Sequence, residues 1–296
     1  MSIANVKHGF IKTNGINLHY VSLGKGKLML MLHGFPEFWY SWRYQIAEFA
    51  QDYHVVAIDM RGYNDSDKPE NLSAYEMSEL IADVKGVIDG LNYEECILVA
   101  HDWGGAIAWN FVYEHPEMVE KLIVMNLPHP AKFRAGLKTW EQLQKSWYIF
   151  FFQIPFLPEL IFQANNYQAI ASGFIDMAID KSAFTTEDLS AYKDAAAKPG
   201  ALTAMINYYR ANFNIPPDNN MARNYGILDI PTLMIWGEED TALGKELTYG
   251  TDAYVSNLEL KYIPNCSHWV QQEQPDLVNQ YMRDFLAKPS ILNKSQ

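Results

Sequence analysis

An aspartate stands at the junction between a buried-strand pattern and a helical pattern. The apolar run 97–100 leads into Asp102, which has the small residues Ala100 and Gly104 two places to either side. This spacing is typical of a nucleophile elbow, because larger flanking side chains would collide as strand and helix close around the reactive residue. A carboxylate there can displace oxygen or halide from a saturated carbon, giving an ester that water must hydrolyse. An aspartate that only caps the helix is the alternative.

A base and an acid for this nucleophile follow later in the chain, in the order nucleophile, acid, histidine. His268 lies between the last predicted strand and the final predicted helix. The turn after the preceding strand contains Glu238, Glu239 and Asp240. We predict Asp240 as the acid, since the two glutamates lie within the turn and fit solvated charges or caps. Asn126 occupies a second place where an acid could lie, but an amide cannot carry the charge that stabilises an imidazolium.

Backbone donors for an oxyanion are expected beside the nucleophile. The run His-Gly-Phe-Pro at 33–36 follows the third predicted strand and brings the N–H of Phe35 next to Asp102, opposite the N–H of Trp103. Together these groups would form an oxyanion hole for the tetrahedral intermediate that arises when water attacks an ester of Asp102. A Gly-Pro turn without a catalytic part is the alternative.

The elements that must position these residues alternate along the chain. Asn14-Gly15 suits a tight hairpin between two N-terminal strands. Alternating strands and helices indicate an α/β fold with a parallel sheet covered on both faces. Strands are predicted at 9–12, 16–23, 28–32, 55–59, 96–100, 122–126, 232–236 and 258–263, and helices near 41–50, 77–91, 106–115 and 275–286.

The alternation is interrupted by a long stretch with helical periodicity. We therefore predict a core made of 1–129 and 230–296, and an inserted helical cap of 130–229 above the carboxyl ends of the strands, where such sheets bind ligands. The apolar run 147–162 is broken by prolines and by Glu159 before it reaches the roughly 20 residues that a membrane span needs. It is interpreted as a buried or pocket-lining segment.

Composition excludes some functions. The 296-residue chain has a net charge of −12 and a pI near 5.1, which disfavours nucleic acid as a partner. Cys96 and Cys266 show no metal-like spacing and fit buried thiols in a reducing compartment. The first ten residues lack the pattern of a secretory leader, so the predicted location is the cytoplasm. The sequence does not distinguish a monomer from a homodimer.

Three motifs carry a resemblance to a known family: His-Gly-Phe-Pro-Glu at 33–37, Asp-Met-Arg-Gly-Tyr at 59–63 and His-Asp-Trp-Gly-Gly at 101–105. With them the chain resembles the epoxide hydrolases of the α/β-hydrolase fold along nearly its whole length. The resemblance implies a mostly parallel eight-stranded sheet with helices on both faces and an inserted helical cap. It also places Asp240 at the spacing after Trp-Gly that this family uses, and it implies a reaction that needs neither a metal nor an organic cofactor.

Two cap tyrosines hydrogen-bond the epoxide oxygen in that family, and the resemblance implies Tyr148 and Tyr209 for these roles. The second choice has physical support, because Leu202, Met205 and Tyr209 share one helix face while Tyr208 points elsewhere. In the resulting hypothesis the nucleophile opens a small apolar epoxide, and the histidine then activates a water that hydrolyses the ester to a vicinal diol.

Two other functions use similar parts. Haloalkane dehalogenases form the same aspartyl ester, and Trp103 offers an indole N–H to a halide; however, one common dehalogenase pattern has Asn after His-Gly, where this chain has Phe35. Fluoroacetate dehalogenases place arginine after the nucleophile, where this chain has Trp103. A non-catalytic ligand receptor on the same scaffold is the third possibility.

Aromatic residues around these motifs predict an apolar substrate pocket, although no spacing rule says which of them point inward. The residues expected to contribute are Trp39, Trp103, Trp147, Phe150, Phe151, Phe152 and Trp269.

Overall fold

The computed structural model of this chain describes residues 3–212 and 225–289. The short apolar runs of the sequence form strands, and all of them join one sheet. In chain order the strands are β1 (Lys7–Thr13), β2 (Ile16–Gly24), β3 (Leu28–Leu32), β4 (His54–Ile58), β5 (Cys96–His101), β6 (Val119–Met125), β7 (Thr232–Gly237) and β8 (Leu258–Ile263).

The strands lie side by side in the order β1-β2-β4-β3-β5-β6-β7-β8. The pairs β1/β2 and β2/β4 are antiparallel, and every later pair is parallel. Asn14 and Gly15 join β1 to β2 with φ angles of 44° and 77°, which this residue pair tolerates. The prediction of a mostly parallel eight-stranded sheet is confirmed.

Helices cover both faces of the sheet. They are α1 (Arg43–Phe49), α2 (Met77–Gly90), α3 (Trp103–Glu114), α4 (Pro130–Gly136), α5 (Trp140–Lys145), α6 (Trp147–Phe151), α7 (Leu157–Met177), α8 (Thr186–Ala197), α9 (Ala201–Asn212), α10 (Val270–Glu273) and α11 (Pro275–Leu286). The helix predicted near 106–115 begins already at Trp103, because the elbow turns directly into it. The helix predicted near 41–50 begins at Arg43, after a 3-10 turn at Trp39–Trp42.

The central strands are buried on both faces, which explains their unbroken apolar runs. In β3, Leu30 and Leu32 belong to the cluster that includes residues of α2 and α3, whereas Met29 and Met31 pack on the opposite side with residues of α1 and α11. The sheet is therefore a rigid platform on which loops at its carboxyl edge are held in place.

Five neighbouring parallel strands end at one edge of this platform. The loop at 33–36 follows β3, Asp102 follows β5, Asn126 follows β6, Asp240 lies shortly after β7, and His268 lies shortly after β8. Carboxyl ends of adjacent parallel strands converge, so residues far apart in the sequence meet there.

Among the described residues between β6 and β7 are the six α-helices α4 to α9, and we call them the helical insertion. Residues 213–224 of the cap predicted at 130–229 lie outside the described residues. The division of the chain at 129/130 and 229/230 stays a prediction. In the ranges that the structure describes, no helix combines the length and the apolar character that crossing a bilayer requires.

The interpretation of 147–162 as a buried or pocket-lining segment is wrong for half of its length. Phe152 and Pro158 are buried, but Trp147, Phe150, Phe156 and several neighbours are exposed. The physical reason is that α6 and the first half of α7 lie on the surface, so that only one side of each short helix faces inward.

Candidate active site

Asp102 occupies a strained turn between β5 and α3. Its φ and ψ angles are 47° and −121°, a conformation that side chains other than glycine rarely adopt. A Cβ atom on Gly104 would lie 2.3 Å from the carbonyl oxygen of Leu32, and one on Gly34 would lie 2.4 Å from the Cβ of Asp102. The two glycines therefore permit the close approach of backbone that the predicted elbow requires.

His268 lies between two carboxylates. Its Nδ1 is 2.7 Å from Oδ2 of Asp240, and its Nε2 is 3.6 Å from Oδ2 of Asp102. All three residues are at least nine-tenths buried. The structure thus brings together the three residues that the sequence analysis assigned as nucleophile, base and acid.

The surroundings of Asp240 favour its ionised form. Its Oδ1 accepts hydrogen bonds from the backbone N–H groups of Ala242 and Leu243, at 2.8 and 2.9 Å. Asn126 donates from Nδ2 to Oδ2 at 2.7 Å and accepts from the N–H of Gly237. The amide that the sequence analysis rejected as the acid therefore has a supporting position, which the sequence reasoning missed.

The neighbouring glutamates have other partners. Glu238 pairs with Lys245 at 3.4 Å, and Oε2 of Glu239 accepts from the backbone N–H of Cys266 at 3.1 Å. Neither contacts His268 among the described bonds. Of the three carboxylates in this turn, Asp240 is the one that contacts the imidazole of His268.

The three buried groups shift each other's protonation. Burial alone would raise the pKa of Asp102, but the hydrogen bond and charge of His268 outweigh it, so the pKa lies below its usual value. The pKa of Asp240 is lowered for the same reasons, with burial again opposing. Burial would lower the pKa of His268, yet the two carboxylates hold it well above its usual value. These shifts favour an imidazolium between two carboxylates in the resting site.

One backbone N–H group of the loop after β3 donates to the nucleophile. The N–H of Phe35 donates to Oδ1 of Asp102 at 2.8 Å. Trp103 is the first residue of α3, where the backbone N–H has no acceptor within its own helix. Both groups predicted for the oxyanion hole thus lie beside Asp102, one already bonded to it.

Tyr148 and Tyr209 come together from α6 and α9 of the helical insertion. Their ring centroids are 5.9 Å apart, and the ring of Tyr209 also contacts Phe35 and Trp103. Burial and then the charge of Asp102 raise the pKa of both hydroxyls, so both remain protonated donors. Tyr208, as predicted, points elsewhere and donates to the carbonyl oxygen of Arg61 at 2.7 Å.

Only some of the aromatic residues predicted to line the pocket lie beside the candidate catalytic residues. Phe152 is buried against Phe35 and Tyr209, and Trp269 packs against His268. Phe151 is half-buried and contacts its neighbours in α6. These positions are compatible with an apolar wall beside the two tyrosines.

Three of the expected lining residues lie elsewhere. Trp147 and Phe150 are 63% and 41% exposed, which contradicts their assignment to an enclosed pocket. Tyr148, which follows Trp147 directly, lies on the inward face of α6. Trp39 is half-buried, and its ring contacts are with His8, Phe38 and Tyr40 rather than with the predicted catalytic residues.

A second buried histidine and carboxylate pair lies beside the first. Glu37 and His101 are fully buried, and both belong to motifs that the sequence analysis quoted without giving them a role. Glu37 also accepts hydrogen bonds from the N–H of Gly34 and from the side chains of Gln271 and Gln272, at 2.8, 2.9 and 3.0 Å. The signal in the sequence was a histidine and a glutamate placed directly beside the reactive turns.

The chain is similar in sequence to known proteins. The chain matches the family model of the alpha/beta hydrolase fold over residues 27–275. It is 45% identical over 286 residues to Epoxide hydrolase 4 of Homo sapiens, covering 94% of this chain and 78% of that protein. It is 44% identical to Epoxide hydrolase 1 of Caenorhabditis elegans, covering 94% of this chain and 70% of that protein.

A solved structure has the same architecture. The crystal structure of an epoxide hydrolase from Bacillus megaterium in complex with an inhibitor matches with a TM-score of 0.90 and 39% sequence identity. The match covers 95% of this chain and 100% of the Bacillus megaterium chain. The similarity therefore extends over the sheet and the helical insertion together.

Proposed function

This chain belongs to the epoxide hydrolases of the α/β-hydrolase fold, and from that premise we propose that it converts a small apolar epoxide and water into a vicinal diol through an ester on Asp102. The observation that carries this proposal is the position of His268, bonded at Nδ1 to Asp240 and with Nε2 directed at Asp102. A serine at the elbow would favour acyl transfer, whereas a carboxylate there attacks saturated carbon.

In the first step, the carboxylate of Asp102 attacks one epoxide carbon and the carbon–oxygen bond of the ring breaks. The lowered pKa of Asp102 keeps it ionised. The oxygen that leaves the carbon becomes an alkoxide, and Tyr148 and Tyr209 donate to it and supply its proton. Two donors on one oxygen stabilise the charge that develops in the transition state.

In the second step, the charge of Asp102 is gone because its oxygen is bonded to substrate carbon. That charge and hydrogen bond are among the causes of the raised pKa of His268. The pKa of His268 therefore falls when the ester forms, its imidazolium proton passes to the tyrosinate that ring opening leaves, and the neutral imidazole becomes a base. Formation of the ester thus prepares the group that hydrolyses it.

His268 then removes a proton from water, and the water oxygen attacks the carbonyl carbon of Asp102. The N–H groups of Phe35 and Trp103 hold the tetrahedral oxyanion. Collapse of this intermediate breaks the ester bond, the departing oxygen takes the remaining proton of that water, and the diol is released with His268 again an imidazolium. One water is consumed, and the carboxylate is regenerated.

The alternatives have less support. One common dehalogenase pattern has an Asn donor for the halide at the position of Phe35, whose ring packs against Tyr209 and has no N–H or O–H. A non-catalytic receptor would not require the histidine between two carboxylates. We include the cap assignment of 130–229 in this proposal, because α6 and α9 supply the two tyrosines.

The decisive experiment is a single turnover in water enriched in heavy oxygen, with enzyme in excess over a styrene oxide. We expect an unlabelled diol and label in the peptide that contains Asp102. The His268→Gln variant is expected to accumulate the substrate adduct, seen as a mass increase, and Asp102→Asn serves as the control without an adduct. Label in the diol on the first turnover would mean that water attacks the epoxide directly.

A further inference from the structure

Glu273 is a buried carboxylate that the proposed reaction does not use. It is the last residue of α10, follows His268 closely in the sequence and is only 5% exposed. A buried carboxylate is costly without hydrogen-bond donors, so its donors show which parts of the chain it joins. Among the described residues, three backbone N–H groups donate to it, from two distant regions of the chain.

One oxygen of Glu273 holds the loop that carries His268. Oε1 accepts from the N–H of Ser267, directly before the histidine, at 3.1 Å. On the other side of the histidine, its carbonyl oxygen lies 2.9 Å from Nε2 of His101. The backbone is thus held immediately before and after His268, which limits movement of the imidazole away from Asp102.

The other oxygen of Glu273 holds the helical insertion. Oε2 accepts from the N–H groups of Ile179 and Asp180, at 2.8 and 3.2 Å. These two residues lie just after the end of α7. One carboxylate therefore joins the histidine loop to a turn of the insertion that is more than 90 positions away in the sequence.

An aromatic contact joins the same two regions. Trp269 follows His268 directly, and its ring packs against that of Phe174 in α7, with the centroids 4.5 Å apart. Both rings are buried. The ring of Trp269 also contacts the imidazole of His268, at 4.9 Å between centroids. The insertion therefore supports the histidine through a carboxylate and through a neighbouring ring.

We propose that Glu273 is a positioning residue for ester hydrolysis, which holds the loop of His268 against the helical insertion. The inference rests on the proposed function, because it concerns the step in which His268 removes a proton from water. Displacement of a catalytic group by about 1 Å can cost on the order of 100-fold in rate. Ring opening depends instead on Asp102 and the two tyrosines, to which no described hydrogen bond joins Glu273.

Glu273→Gln and Glu273→Asp test this bridge in two ways. Glutamine keeps the length of the side chain, but its NH2 group cannot accept a hydrogen bond, so one set of donors is lost. Aspartate keeps the charge, but its shorter side chain withdraws the carboxylate from its donors. In both variants we expect ester hydrolysis to slow by about 10- to 100-fold and ring opening by less than about threefold. Rapid-quench mass spectrometry of a styrene oxide turnover, with enzyme in excess, measures both steps.

Asp83→Asn is the matched control. It also neutralises a buried carboxylate, one that pairs with Arg61 at 2.6 Å and has no described contact with the loop of His268. The control should lose stability in urea unfolding but keep the ratio of the two rates. An unchanged ratio in both Glu273 variants, or an equal change in Asp83→Asn, would overturn the proposal. A normal ratio in Glu273→Asp alone would overturn it in favour of an effect of charge.

The position of His268 is also measured without any reaction. The imidazole proton between its Nδ1 and Oδ2 of Asp240, which are 2.7 Å apart, is followed by NMR as it exchanges with water. Exchange should be about tenfold or more faster in both Glu273 variants than in the parent and in Asp83→Asn. If the parent forms no ester, the proposed function fails, and this exchange rate alone decides the inference. Equal exchange in all four proteins would overturn it.

Discussion

Oε2 of Glu37 lies 2.7 Å from Nδ1 of His101, and both side chains are fully buried beside the nucleophile. The other ring nitrogen of His101 lies 2.9 Å from the carbonyl oxygen of His268. Both ring nitrogens of His101 thus face hydrogen-bond acceptors. The pair connects the loop after β3, the nucleophile elbow and the loop that carries His268.

Replacement of Glu37 by Gln should destabilise the protein and weaken the nucleophile. Loss of one member of a buried charged pair typically costs about 3–5 kcal/mol. His101 is also one of the causes that lower the pKa of Asp102, after His268, so displacement of its ring by the substitution should raise that pKa. Urea unfolding measures the loss of stability. The decrease in the rate of ester formation at acidic pH measures the pKa of Asp102.

The matched control is Glu238→Gln, since this carboxylate pairs with Lys245 at the surface. Its effect on unfolding should be within about 1 kcal/mol. Glu37→Gln could instead show the same small change in stability and an unaltered rate of ester formation at acidic pH. The pair of Glu37 and His101 would then have neither a structural nor an electrostatic role.

The two tyrosines should act on ring opening rather than on ester hydrolysis. Tyr148→Phe and Tyr209→Phe are each expected to slow ester formation by about 100-fold or more, because each removes one donor to the developing alkoxide. Stopped-flow fluorescence with excess enzyme measures this step. Tyr208→Phe is the control, since its hydroxyl bonds Arg61; it should lose stability but keep the rate of ring opening. Equal slowing of all three variants would contradict these assignments.

Much of this arrangement could be predicted from local patterns. The elbow, the strands and the order of Asp102, Asp240 and His268 are visible because strand ends and small residues leave a signal in the sequence. The sequence indicated less well which side chains of the short helices face inward. Trp147 and Tyr148 are adjacent aromatic residues on a short helix, and only the packing of α6 against α9 decides which of them faces inward.

The supporting interactions could not be predicted, because they join residues from distant parts of the chain. Asn126 was rejected as an acid on correct chemical grounds, yet it donates to Asp240 from a neighbouring strand end. Glu37 meets Gln271 and Gln272 across more than 230 positions. Amide side chains such as these fit many environments, so their identity alone indicates no partner.

Gly34→Ala should disable the nucleophile by displacement. The added Cβ would lie 2.4 Å from the Cβ of Asp102 and 2.5 Å from its Oδ1, so the loop after β3 or the elbow must move. We expect ester formation to fall by about 100-fold or more, as for a lost oxyanion donor, with overpacking costing about 1–3 kcal/mol of unfolding free energy. Active-site titration and urea unfolding measure these losses.

Gly173→Ala provides the comparison, because a Cβ there meets nothing within 4 Å. This helical position of α7 should tolerate alanine without loss of activity, and stability should stay equal or rise by up to about 1 kcal/mol. An active Gly34→Ala variant would show that the close approach of the two loops is unnecessary for the reaction.

The charge of Asp102 should control the protonation of His268. Asp102→Asn keeps the shape of the residue and removes its charge, as ester formation does, so the pKa of His268 should be lower in the variant than in the parent. Nitrogen chemical shifts of the imidazole measure it across a pH titration, with Asp188→Asn as the control at a distant carboxylate. An unchanged pKa would mean that Asp240 alone holds the proton, and the ester would then not activate the base.

The same coupling predicts how stability depends on pH. The pKa of His268 is raised above its usual value of 6.5, so its pairing stabilises the folded state fully below that pH, and this contribution is lost as pH rises through the folded pKa. The lowered pKa values of Asp102 and Asp240 act oppositely: their contribution is present above the usual value of 3.8 and is lost as pH falls through the folded values. The free energy of unfolding should therefore decline on the alkaline side in the parent, and this decline should be smaller in His268→Gln. Urea unfolding between pH 6 and 9, with His115→Gln as the control, measures the slopes; parallel slopes in all three proteins would contradict an imidazolium in the resting site.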